Sequence, residues 1–115
     1  MRTEGATMSE TFREREQAFE ARFAHDEELR FRIKARRDKM FARWAAADLG
    51  LSAEETEALV SAVLAIKDGP DHDRALKDHI GSLLRGRPQG TEASLTSALD
   101  RCLKEARAQL GGNVV

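Results

Sequence analysis

The stretch Asp71-His72-Asp73, with His79 seven residues beyond His72, is the part of this sequence best suited to metal chemistry, and Cys102 is its one thiol. Carboxylates and imidazoles can hold a divalent ion, and a thiolate is a nucleophile. Neither set is completed. A metal site needs about three or four converging ligands. His25 lies far off in the chain, and no cysteine pair or His-Glu-x-x-His helix adds the rest. Asp71 to Asp73 reads instead as an acidic helix start, where the positive end of the helix dipole favours carboxylates. His72 and His79 share a helix face with Leu76 and Leu83, which gives them structural or surface roles. Cys102 recurs with Leu95, Leu99, Leu103, Ala106 and Leu110 on one apolar side, where cysteine acts as a small hydrophobe. Serines and threonines fall at cap positions, and no Gly-rich phosphate loop is present. The chain therefore reads as non-catalytic, without metal or cofactor.

Two other sets of residues point to binding. From Arg30 to Arg43 there are seven basic residues and one acidic, a net of +6. Within that run Arg30, Arg32, Lys34, Arg36 and Arg37 form a candidate anion or nucleotide-phosphate site. They spread round a helix, so a solvated exterior is the simpler reading. Nucleic acid is disfavoured by the overall net charge of −1 and by the segment just before the run. From Ser9 to Glu28 there are three basic and seven acidic residues, a net of −4, which would repel a phosphate backbone. The second set lies in that acidic segment. Phe12, Phe19 and Phe23 are spaced by seven and four, which puts them on one stripe of a helix. Arg13, Glu14, Arg15 and Glu16 surround the first of them.

The elements that must position these residues are all helices, since no run alternates with a period of two. Thr11 with Glu14 reads as a capping box, and nothing breaks the segment until Gly50. Asp26 and Arg30, and Glu28 and Arg32, are i,i+4 pairs that would hold it continuous. Ser52 with Glu55 opens a second helix carrying Leu59, Val60, Val63 and Leu64, which Gly69-Pro70 stops. Asp71 can cap a third, with Leu76, Ile80, Leu83 and Leu84, ended by the segment Gly86 to Gly90. Thr91 can cap a fourth, ended by Gly111-Gly112. The expected fold is an all-α four-helix bundle. The first helix spans roughly 57 Å at ~1.5 Å per residue, the others roughly 22–30 Å. A bundle of short helices covers only the second half of the first, where Leu29, Ile33, Met40, Phe41, Trp44, Ala45 and Leu49 lie. The N-terminal half is then expected to project as a flexible arm, with residues 1–10 a disordered tail, 11–28 a partner-binding helix and 29–112 the bundle. A homodimer through a heptad seam of Phe12, Phe19, Phe23, Ile33 and Met40 is the weaker reading, because Glu16, Asp26, Arg30 and Arg37 interrupt it.

With 115 residues the chain suits one small domain. A single cysteine rules out an internal disulfide and fits a reducing cytosol. No apolar run approaches the roughly 20 residues of a membrane span.

At the first helix the sequence resembles a known family. The marks are Arg15 to Phe31 with its "FAHDEELRF", the "ARRDK" of Ala35 to Lys39, and Trp44 to Ser52 with "LGLS". They are similar to the ζ subunit of α-proteobacterial F1Fo-ATP synthase. The likeness covers roughly the first half; from Ile66 onward it is one of helix pattern. The resemblance implies a four-helix bundle whose N-terminal segment inhibits F1-ATPase, contacting its α, β and γ subunits. The segment enters the catalytic α/β interface and blocks rotation in the direction of ATP hydrolysis. It also implies a cytoplasmic protein, peripheral to the inner membrane through ATP synthase.

Overall fold

In a computed structural model the described backbone runs from residue 2 to residue 111. The side chains described are those from residue 13 onward, apart from Phe19, Arg22 and Phe23. Four α-helices follow in order: α1 (Arg2–Leu49), α2 (Ala53–Leu64), α3 (His72–Leu83) and α4 (Glu92–Leu110), with a 3-10 turn at Pro88–Gly90 before the last. No strand occurs among the described residues. The chain divides into two compact units, the first ending at Phe31 and the second beginning at Arg32.

The second unit holds the core, to which all four helices contribute. Phe41, Ala42, Ala45 and Ala46 from α1 meet Leu59, Val60 and Val63 from α2, Leu76, Ile80 and Leu84 from α3 and its cap, and Leu95, Ala98, Leu99 and Cys102 from α4. Met40, Trp44, Leu49, Leu51 and Ile66 pack against its edge. Phe41 is fully buried and stacks on Trp44 at 5.6 Å between ring centroids. This is the core expected from the helical stripes. Of the residues that a homodimer seam would use, Ile33 is buried within this chain and Met40 packs on its core.

Local signals account for most of the helix ends. Gly50 has φ +68°, a left-handed conformation that favours glycine. It closes α1 with Leu51 N–H bonding the Ala46 carbonyl at 3.0 Å and its own N–H the Ala47 carbonyl at 3.2 Å, the Schellman pattern. Ser52 and Glu55 form the expected capping box on α2: Glu55 N–H donates to Ser52 Oγ at 3.1 Å, and Ser52 N–H to Glu55 Oε1 at 2.9 Å. Thr91 caps α4 by accepting from Ser94 N–H at 3.1 Å. Gly90 is required for a different reason. A Cβ there would sit 2.2 Å from the Leu84 carbonyl oxygen, so only glycine lets the turn lie against the end of α3.

Five expectations are corrected. α1 begins at Arg2, not Thr11, so Thr11 and Glu14 lie within a helix and residue 10 is no boundary of secondary structure. No proline stands in that stretch to stop a helix propagating. α2 ends at Leu64, ahead of Gly69-Pro70, because Ile66 turns back onto the core. Asp71 stands at the start of α3 without capping it; its carboxylate accepts from Arg74 Nη2 at 2.8 Å instead. Leu64 and Leu83, placed with the apolar residues of the second and third helices, are 43% and 42% exposed. The buried line of α3 steps by fours through His72, Leu76, Ile80 and Leu84, which turns Leu83 and His79 outward. Finally, Arg30 pairs with Glu27 rather than Asp26; on a helix the i−3 neighbour is as near as the i−4 one. The Gly112 part of the last stop lies outside the described residues.

Candidate functional site

The first unit is a helix most of whose described side chains face solvent, with Leu29 buried. Arg13, Glu14, Arg15 and Glu16 are exposed, and so are the other described side chains up to Glu28 except half-buried Asp26. The rings of Phe12, Phe19 and Phe23 lie outside the described side chains. An isolated helix of charged residues gains little from burial; its pairs at i,i+3 or i,i+4 contribute roughly 0.2–0.5 kcal/mol each. Arg30 with Glu27 is one such pair, both partners being more than half exposed.

The basic run goes to separate partners. Lys34 lies 3.6 Å from Asp68, and Arg36 Nη1 donates to Gln109 Oε1 at 2.9 Å. Arg32 is exposed. Arg43, further along, reaches Glu57 at 3.6 Å. Arg37 is 6% exposed and turned into the protein. Of the five candidate anion-binding residues, Arg37 is thus committed to internal carboxylates, Arg30, Lys34 and Arg36 each have a partner of their own, and Arg32 is exposed.

Around Arg37 the structure assembles a group that sequence reasoning missed. Arg37 Nε donates to Asp38 Oδ1 at 2.9 Å. Its Nη2 and Nη1 grip the two oxygens of Asp73 at 2.7 and 3.2 Å, the fork geometry in which guanidinium binds carboxylate. Asp38 also faces His72, whose Nε2 lies 2.7 Å from Oδ2. The second ring nitrogen, Nδ1, lies 3.1 Å from the Lys67 carbonyl oxygen. Arg37, Asp38 and His72 are all buried, and the described buried side chains leave no nitrogen or oxygen unpartnered. The cluster therefore binds the C-terminal third of α1 to the connection before α3 and to the first turn of α3.

Within it Arg37 and Asp73 support each other's charge. Burial opposes the Arg37 charge, but the bond to Asp73 and the charge of Asp38 outweigh it and raise its pKa. The hydrogen bond from Arg37 holds Asp73 below the usual carboxylate range, against the desolvation that pushes the other way. Cys102 is the reverse case. Burial pushes its thiol above the ordinary value, which suits a packed hydrophobe and not a nucleophile. No group of three or more His, Cys, Asp or Glu able to hold a metal occurs among the described residues. Two sequence signals bore on the cluster: a histidine on an apolar stripe, and Asp38 as the one acid within the basic run.

Comparison with known proteins adds one finding. The profile of the family described as ATPase inhibitor subunit zeta matches residues 8–109. The chain belongs to that family. The match extends well beyond the first half, so the helices after Ile66 are part of the likeness. No curated protein and no solved structure matches.

Proposed function

We propose that this member of the ATPase inhibitor subunit zeta family is a non-catalytic inhibitor of F1-ATPase, acting through the N-terminal helical segment 11–28. The segment would seat at the interface of catalytic α and β subunits, beside γ, and block rotation in the hydrolysis direction. The observation that carries this reading is the family match over residues 8–109, which takes in both the segment and the bundle. The exposure of Arg13, Glu14, Arg15 and Glu16 supports it, since exposed charges can steer an encounter and set register. By spacing, Phe12, Phe19 and Phe23 are the apolar anchors. Each contributes about 1.5–3 kcal/mol on burial, less the cost of ordering the segment. The mechanism is steric. A helix held in a cleft that must close in each catalytic cycle stalls the cycle, and no bond is made or broken by this chain. Bound in this way the protein would sit at the cytoplasmic face of the membrane. Among the described residues no helix is long and apolar enough to cross one.

The test is ATP hydrolysis by the protein's own F1 with the full chain added at increasing ratio. The rate is expected to fall and then level off. An unchanged rate at large molar excess would remove the reading. The other reading, an anion or nucleotide site on residues 30–43, gains no observation here, because Arg37 is already held by Asp38 and Asp73.

A further inference from the structure

We propose that His72 is a proton-dependent clasp, holding α1 to the connection between α2 and α3 only while both of its ring nitrogens carry protons. The argument is one of donors and acceptors and does not rest on the inhibitory role. The Lys67 carbonyl can only accept, so Nδ1 at 3.1 Å must donate. Asp38 Oδ2 lies 2.7 Å from Nε2, and the other oxygen of the same carboxylate accepts from Arg37. An ionised carboxylate is an acceptor too, so Nε2 must also donate. A neutral imidazole has one N–H and cannot serve both partners. With Asp38 ionised, the form that satisfies both contacts is imidazolium.

The charged groups around the ring agree. On α1, Asp38 faces Nε2, and the positive charge of Arg37 is shared between Asp38 and Asp73. In the connection, Asp68 lies 3.9 Å from Nδ1, and Lys34 of α1 reaches the same carboxylate at 3.6 Å. Asp71 is engaged by Arg74. On α4, Cys102 lies within electrostatic reach of Asp38 and Arg37, and burial pushes its thiol up. With His72 charged, the inner set of Arg37, His72, Asp38 and Asp73 balances two positive and two negative charges. Loss of the Nε2 proton leaves a nitrogen lone pair facing a carboxylate oxygen inside the protein, a contact that repels. A cavity of about 290 Å³, whose lining includes Lys67, Asp68, Asp71 and His72, adjoins the ring.

The sign follows from proton counting. A folded state that must hold a proton which the unfolded chain releases loses stability as pH rises. The test is thermal unfolding of the full chain from about pH 5.5 to 8.5, across the histidine range, for the native protein, His72→Gln and Asp38→Asn. The native Tm is expected to fall as pH rises. Both variants are expected to flatten that slope: glutamine does not titrate there, and an asparagine amide can donate to a neutral Nε2. Nitrogen-15 NMR of the native ring provides the check that needs no variant, and at the acid end of the range both ring nitrogens should show protonated shifts. Parallel Tm curves for the native protein and the variants would overturn the proposal. So would a ring that is a single neutral tautomer across the whole range.

Discussion

Residues 13–28 and residues 33–48 are equal lengths of the same helix and differ little in charge, with nine charged residues in the first and seven in the second. No described side chain of the first is buried. In the second Ile33, Arg37, Asp38, Phe41, Ala42, Ala45 and Ala46 all are. Charge content thus says little about burial. The difference lies in what neighbouring elements supply. α2, α3 and α4 offer an apolar surface for Phe41 and its neighbours, and α3 with its preceding connection offers Asp73, His72 and the Lys67 carbonyl for the charges. The exposed stretch has no such complement among the described contacts, and the proposed function gives it one on another molecule.

The comparison is tested hardest by removing one side of it. Deleting Met1 to Phe23 is expected to abolish inhibition of ATP hydrolysis while leaving the thermal unfolding of the bundle nearly unchanged. A large drop in Tm would show instead that the deleted segment packs on its own chain. Next in size is Asp38→Ala, which takes from buried Arg37 one of its two carboxylate partners and from His72 the partner of Nε2. Breaking a buried pair costs about 3–5 kcal/mol, to be read from urea unfolding. A cost below about 1 kcal/mol would place these charges in the same class as surface pairs. Ser52→Ala removes the cap of α2 and should cost about 1 kcal/mol by the same measurement. Asp73→Asn is expected to have the smallest effect, because its side chain is half exposed. Its folded pKa is lowered, chiefly by the bond from Arg37, so its stabilising contribution is present above the ordinary carboxylate range. That contribution is lost as pH falls through the lowered value. Native protein should therefore lose stability on acidification by more than Asp73→Asn does, in unfolding measured below about pH 4.

How much was legible follows from range along the chain. The capping box at Ser52 and Glu55, the Thr91 cap and the Gly50 stop join groups at most five residues apart, and all three were legible. The apolar stripes were legible too, since periodicity alone names their members. Leu83 was misplaced because a seven-residue step and a four-residue step diverge along α3, and only the packed neighbours select between them. The N-terminal candidate residues were legible as a pattern of Phe and charge, and the partner proposed for them is another molecule.

Sequence by itself determined the all-helical character, the main helix stops, most of the core and the family. These depend on backbone preference, spacing and residue type, which neighbours in the chain set. Tertiary structure alone decided the fate of the charges. Arg37, Asp38 and Asp73 look like surface residues in the sequence, His72 shows only its place on an apolar stripe, and their contacts span 34 to 36 residues. Whether a charged side chain is solvated or buried depends on an opposite charge arriving from elsewhere in the fold, and no local pattern records that arrival.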